Sequence, residues 1–283
     1  VIRSVLAGTD TLALMPTGGG KSITFQVPAL ARPGICLVIS PLVALMKDQV
    51  AHLQKRGILA AFISSEMSRS DILQQLENCI LGNYKFLYIS PERISSELFQ
   101  NKLKVLKQKV NLLVVDEAHC ISQWGNDFRR DYRLIADIRD VLPAVPVIAV
   151  TASATAAVVA DICEQLHFRK GYQVFHASFA RPNLSFVVRK TDNKLAEIAH
   201  ILSAVPGSAL IYCRTRQGVE SYARKLCAAG LTASYFHAGL DPVVKNERQM
   251  QWQQGETRVL VATNAFGMGI DKPDVRLVIH YDC

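Results

Sequence analysis

Met15-Pro16-Thr17-Gly18-Gly19-Gly20-Lys21-Ser22 separates a short apolar run, Leu12–Pro16, from a stretch with helical spacing. Strand, glycine-rich turn, helix is the order that a phosphate-binding loop requires. Three consecutive glycines let the backbone come close to phosphate oxygens without Cβ clashes. A helix opening near Lys21 points its first N–H groups at the bound anion. Thr17, Gly18, Gly19 and Gly20 then wrap the phosphates, Lys21 reaches the β- and γ-phosphates, and Ser22 offers a hydroxyl to Mg²⁺. The strict pattern begins with glycine, and Met15 stands there instead. A plain glycine turn is the competing reading of the stretch taken alone.

Working outward, the same alternation recurs along the chain. Ile35–Ser40, Ala60–Ser65, Lys85–Ser90, Asn111–Asp116 and Val145–Thr151 are short runs rich in Val, Ile, Leu or Tyr, each closed by a small or polar residue. They read as buried strands, and Pro41–Arg56 and Ser68–Leu81 between them carry apolar residues at helical spacing. The pattern pauses near His176–Asn183, where Pro182 disfavours helix for its predecessor. It resumes with Ser208–Cys213, Gln217–Ala229, Thr232–Ala238, Pro242–Gln253, Arg258–Thr263 and Val275–Tyr281. The expected fold is α/β, with two tandem domains, 1–180 and 181–283. Each is expected to be a mostly parallel sheet with helices on both faces. The chain opens inside a helical pattern, Ile2–Ala7, and stops after a strand, so the second domain is expected to be incomplete and the chain a fragment.

Composition sets the bounds. The 283 residues suit two domains, and 49% of them are hydrophobic, enough for a sizeable core. No apolar run reaches the length of a membrane span, and no signal peptide heads the chain. The net charge is +8, and it is spread: residues 1–177 carry 19 basic and 15 acidic residues, and residues 178–283 carry 13 and 9. That balance permits a polyanionic partner without a basic tail. Seven cysteines, none in a C-x-x-C pair, fit reduced thiols in a cytosolic or nuclear compartment. Cys36 and Cys213 lie inside apolar runs and read as core residues.

Asn111-Leu112-Leu113-Val114-Val115 delivers Asp116 and Glu117 to the carboxyl end of a strand. Ligands of open α/β sheets bind at that edge. Asp116 is placed to hold Mg²⁺ and Glu117 to polarise an attacking water. An exposed acidic turn is the alternative. Downstream, Ser122-Gln123-Trp124-Gly125-Asn126-Asp127-Phe128 sets two aromatics in polar company.

Asp116-Glu117-Ala118-His119 after such a strand, with the glycine-rich loop upstream, resembles the superfamily 2 helicases. More closely, the chain resembles the RecQ family of DNA helicases, over nearly all 283 residues. The resemblance runs through Ser40–Gln49, Ser90-Pro91-Glu92-Arg93, Thr151-Ala152-Ser153-Ala154-Thr155, Ile211-Tyr212-Cys213-Arg214, Phe236-His237-Ala238-Gly239-Leu240 and Ala262–Asp274. Its most specific part is the aromatic-rich run Ser122–Tyr132. The compact spacing of the motifs fits a bacterial source.

The resemblance implies two RecA-like domains with ATP and one DNA strand held along their cleft. It implies ATP and Mg²⁺ as cofactors and single-stranded or partly duplex DNA as partner, with no membrane. Protein partners are not implied. Lys21, Asp116 and Glu117 are the catalytic candidates, with Ser22 and Asp116 on the metal. Gly269 and Asp271 address the nucleotide from the second domain. His119, Gln123, Thr151 and Ser153 couple the two ligands. Trp124 and Phe128 would stack on unpaired bases, at about 1–3 kcal/mol per base, with Arg129, Arg214, Thr215 and Thr263 on the phosphates. His237 and His280 read as satisfied strand residues.

Departures from the family are Asn126 for histidine, Arg130 for proline and Ser153 for threonine. Asn126 keeps a hydrogen-bonding group but takes up no proton. The adenine-reading glutamine would precede Val1, and the arginine-rich motif would follow Cys283. This chain alone is therefore expected to hydrolyse ATP poorly. The implied activity is the ATPase core of a 3′-to-5′ DNA helicase of recombination and repair. It would act at the bacterial nucleoid, or in the nucleus if the source is eukaryotic. The rivals are an RNA-remodelling Asp-Glu-Ala-His ATPase and a nucleotide-gated DNA-binding module without unwinding.

Overall fold

The computed structural model describes residues 1–122, 130–267, 270 and 272–282, and for Arg130 the backbone only. Two compact units divide it, Val1–Pro182 and Asn183–Cys283.

In the first unit, seven strands form one parallel sheet: β1 (Thr11–Leu14), β2 (Ile35–Ile39), β3 (Ala60–Ile63), β4 (Phe86–Ile89), β5 (Val110–Val115), β6 (Val147–Thr151) and β7 (Gln173–His176). Their order is β3-β4-β2-β5-β6-β1-β7. The helices are α1 (Ile2–Leu6), α2 (Lys21–Leu30), α3 (Val43–Lys55), α4 (Arg69–Leu81), α5 (Glu97–Leu106), α6 (Ile135–Val141) and α7 (Ala156–Gln165). Because strand side chains alternate between faces, each strand feeds two cores. Ile35, Leu37 and Ile39 of β2 join Leu76 of α4, Phe99 and Leu103 of α5 and Ile162 of α7. Cys36 and Val38 turn the other way, toward Phe25 of α2 and Met46 and Val50 of α3. Burial on both faces explains why the strands are continuous apolar runs.

The helix starts are fixed by side chains. Ser68, Ser96 and Thr155 accept hydrogen bonds from the amides of Asp71, Phe99 and Val158, satisfying donors that have no partner inside the helix.

β7 sits where the apolar pattern pauses. It pairs in parallel with β1, Thr11 opposite Gln173 and Leu14 opposite His176. It is an edge strand with Gln173 and His176 exposed, so it carries no apolar run to announce it.

The amino end of the sheet is tied by Asp10, which is buried. Its carboxylate accepts from Arg139 Nη2 at 2.9 Å, from Arg169 Nη2 at 2.7 Å and Nε at 3.0 Å, and from the amides of Val147 and Arg169 at 2.9 and 2.8 Å. One carboxylate thus joins the starts of β1 and β6, helix α6 and the approach to β7.

The second unit has four parallel strands, β8 (Ser208–Tyr212), β9 (Ala233–Phe236), β10 (Val259–Ala262) and β11 (Val275–His280), in the order β11-β8-β10-β9. Helices α8 (Lys194–Ala204), α9 (Arg216–Ala228) and α10 (Pro242–Gln254) accompany them. Ala209, Ile211, Val259 and Val261 pack with α8 and α9. Leu210 and Leu260 pack on the other face with Trp252 and Phe266. Trp252 Nε1 donates to the Ala209 carbonyl at 3.2 Å, so this tryptophan is a core residue with its polar atom satisfied. Before α8, residues 182–190 are all exposed, Phe186 by 93% and Val188 by 99%.

Cys36, Cys79, Cys120, Cys163 and Cys213 are buried, and Cys227 is exposed. Among the described residues, no helix is long and apolar enough to cross a membrane.

Candidate active site

The order β5-β6-β1 sets three carboxyl ends side by side, and their loops build the site. After β1, the Met15 amide donates to the Thr151 carbonyl at the end of β6, at 3.0 Å. The glycine loop follows. Gly18 and Gly20 have φ of +76° and +83°, the left-handed region, which glycine enters without steric cost. Gly20 is the N-cap of α2. At Gly19 a Cβ would lie 2.8 Å from the Pro16 carbonyl oxygen, so the turn has no room for a side chain. Thr17 and the three glycines are exposed. Exposed amides of a helix start, in a loop without side chains, fit a polyphosphate.

After β5, Asp116 is held from four directions. Its amide donates to the Ile39 carbonyl at 2.8 Å. Its Oδ2 accepts from Ser40 Oγ at 3.2 Å, and its Oδ1 from the Glu117 amide at 3.0 Å. Its carbonyl accepts from the Tyr132 phenol at 2.9 Å. Burial, then the nearby Glu117 charge, pushes its carboxyl up to about 6, against the opposing pull of Lys21, the Glu117 amide and Ser40.

Glu117 has φ +46° and ψ +47°, a strained backbone for a residue with a Cβ. In that posture its carboxylate meets Lys21 Nζ at 3.2 Å and His119 Nδ1 at 3.4 Å. His119 Nδ1 is also 2.8 Å from Thr151 Oγ1. Thr151 Oγ1 in turn accepts from the Ser153 amide at 3.3 Å. Lys21, Glu117, His119, Thr151 and Ser153, far apart in sequence, thus form one connected network beside Asp116.

The donor set fits magnesium. A hydroxyl on the first turn of α2, Ser22, and one carboxylate, Asp116, are hard oxygen ligands. Mg²⁺ usually takes one or two protein ligands and completes its shell with water and phosphate. Among the described residues, no three His, Cys, Asp or Glu side chains gather into an all-protein metal site.

In the second unit, Arg214 and Thr215 follow β8 and are exposed. The Arg214 amide donates to Asp282 Oδ2 at 2.9 Å. Thr215 is the N-cap of α9, its Oγ1 accepting from the Gly218 amide at 3.1 Å. Thr263, after β10, is buried, and its amide donates to the Phe236 carbonyl at 3.2 Å. Beside Arg214 opens a cavity of about 540 Å³ with Tyr212, Asn264 and His280 in its wall. The Tyr212 phenol donates to the Phe266 carbonyl at 2.9 Å and its ring stacks on His280. His280 is thus a strand residue in β11. His237 follows β9 instead. It is buried with Nε2 3.1 Å from Glu220 Oε1, while its Nδ1 has no partner among the described residues.

Gln123, Trp124, Asn126, Phe128, Arg129, Gly269 and Asp271 lie outside the described residues. Ser40 and Tyr132 are site neighbours to which sequence reading gave no role. A serine closing a strand carries no signal of its own, whereas Tyr132 stood inside the aromatic-rich run.

Comparison with known proteins adds the following. The DEAD/DEAH box helicase family matches residues 1–162, and the helicase conserved C-terminal domain matches residues 193–283. The chain is similar to the ATP-dependent DNA helicase RecQ of Haemophilus influenzae, 40% identical over 283 residues, covering 100% of this chain and 45% of that protein. It is 44% identical to RecQ of Bacillus subtilis over 276 residues, covering 97% and 46%. With the ATP-dependent DNA helicase Q-like 4B of Arabidopsis thaliana it shares 41% identity, covering 99% and 25%. The chain therefore spans less than half the length of these relatives. Among solved structures, S. cerevisiae Dbp5 bound to Gle1 superposes with a TM-score of 0.75 at 18% identity, covering 99% of this chain and 72% of that one. Mycobacterium smegmatis helicase Lhr with single-stranded DNA and AMP-PNP gives 0.70 at 18%, covering 99% and 41%. These two establish likeness of fold, that of RecA-like helicase cores.

Proposed function

From the premise that this chain belongs to the DEAD/DEAH box helicase family, with RecQ-type proteins as relatives at about 40% identity over its whole length, we propose that it is the ATPase core of a RecQ-type helicase. It would move 3′ to 5′ along single-stranded DNA and unwind duplexes in recombination and repair. The domains that carry this work are proposed as residues 1–180 and 181–283. The observation that carries the reading is the network Lys21–Glu117–His119–Thr151 beside Asp116.

The chemistry follows from these positions. The amides of Gly18 to Lys21 and the Lys21 ammonium bind the phosphates. Ser22 and Asp116 would hold Mg²⁺, which would supply neutralisation of charge on the transferring phosphoryl group. Lys21 is paired with Glu117. Phosphate competes for the ammonium, and Glu117, released from it, accepts the proton of the attacking water as general base. His119, in contact with both Glu117 and Thr151, links the hydrolytic acid to the segment Thr151–Ser153. In the second domain, Gly269 and Asp271 are proposed to address the nucleotide, and Arg214, Thr215 and Thr263 the DNA backbone. Trp124 and Phe128 are proposed to stack on bases, with Arg129 on phosphate and Gln123 passing the signal on. A nucleoid or nuclear location goes with this activity.

The test is steady-state Mg-ATP hydrolysis by the natural full-length protein, alone and with single-stranded DNA or RNA of equal length. Stimulation by DNA alone is expected. Equal or greater stimulation by RNA refutes the DNA reading in favour of RNA remodelling. Glu117→Gln should lower kcat at least 100-fold with nucleotide binding retained; a variant that still turns over removes Glu117 from the role of base.

A further inference from the structure

The peptide joining Asp116 to Glu117 is pinned at both ends. Its N–H donates to Asp116 Oδ1 at 3.0 Å, and its C=O accepts from the Tyr132 phenol at 2.9 Å. This is the peptide that enters the left-handed conformation of Glu117, which the backbone adopts only under constraint. Rotating the peptide back toward an ordinary conformation would swing the Glu117 carboxylate away from Lys21 and His119. Tyr132 is fully buried and belongs to the same core as Ala118, Cys120 and Ile121. It sits in the short 3₁₀ turn Arg130–Leu134, sixteen residues from its acceptor.

We propose that Tyr132 is a positioning residue for hydrolysis: its phenol holds the Asp116–Glu117 peptide in the strained posture that aims Glu117. The proposal rests on the reading of Glu117 as general base. In the sequence, Tyr132 stands four residues after Phe128.

Tyr132→Phe removes the phenol oxygen and keeps the ring. In the natural full-length protein, DNA-stimulated kcat should fall about 3- to 10-fold, the rate equivalent of one neutral hydrogen bond. KM for ATP and the melting temperature should change little. Ile135→Val, in the same core one residue beyond the turn, is the comparator: it should lower the melting temperature and leave kcat unchanged. Wild-type kcat in Tyr132→Phe overturns the proposal. So does a loss of rate that merely tracks a loss of stability, as judged against Ile135→Val. Absence of DNA-stimulated turnover in the unsubstituted protein defeats the functional reading, and the assignment falls with it. That failure shows before any variant is compared.

Discussion

At Asp116 two demands conflict. The metal-holding role proposed for Asp116 requires a carboxylate, whereas burial and the Glu117 charge favour the neutral acid and push the group up to about 6. Magnesium-dependent nucleotide binding is therefore expected to weaken as pH falls through about 6. Below that point it should drop roughly tenfold per pH unit, because only the ionised form binds. Ser40→Ala removes one of the groups that favour ionisation, so the midpoint should move upward. The nucleotide's own phosphate titration stays where it is, which separates the two. Titrations of a fluorescent ATP analogue across pH, with and without Mg²⁺, measure both; a midpoint near 4 that ignores Ser40→Ala removes Asp116 from the metal. The glycine loop and the Asp116–His119 run could be read in sequence because each is contiguous. Ser40 could not. It meets Asp116 only because β2 pairs with β5 in the register that sets Ile39 opposite Val115.

At the scale of elements, the Asp10 tie makes the amino end of the first sheet one piece. Burial alone would raise its carboxyl, but the Arg169 side chain and amide, the Val147 amide and Arg139 together hold it below its ordinary 3.8. A depressed acid stabilises the fold above its unfolded pKa, and that stability is lost as pH falls through the lower folded value. Urea unfolding should therefore show this contribution intact at neutral pH and fading only below about 4. Asp10→Asn leaves two guanidinium groups without their counter-charge and should cost about 3 kcal/mol; a loss under about 1 kcal/mol would show the tie to be replaceable. Nothing in the sequence announced this tie, since a lone aspartate before a strand, Arg139 and Arg169 are joined only by tertiary structure. The central strands were legible because burial on both faces makes them continuous apolar runs. β7, half exposed at an edge, and α8, capped by Asn193 within a polar stretch, were passed over.

For the whole molecule, the division after Pro182 coincides with the longest run of exposed residues among those described, 182–190. Limited trypsin digestion should cut first after Arg189 or Lys190. It should leave two fragments whose boundary mass spectrometry locates; early cuts inside α2–α5 would contradict the compactness of the first unit. The parallel α/β architecture was legible from alternation alone, and the two-domain reading from the pause in it; the RecA-like form was implied by the resemblance. The aromatic-rich run was legible only as a resemblance.

The burial of the thiols has a kinetic use. Cys36, Cys79, Cys120 and Cys163 lie within the first unit and Cys213 within the second, all shielded, while Cys227 on α9 reaches solvent. A thiol-reactive dye in mild excess marks Cys227 at once and reaches these five buried thiols only when their surroundings open. Four silent cysteines on both faces of the seven-stranded sheet make that sheet its own stopwatch. The rate of slow dye uptake reads how often the first unit breathes, with no probe engineered into it.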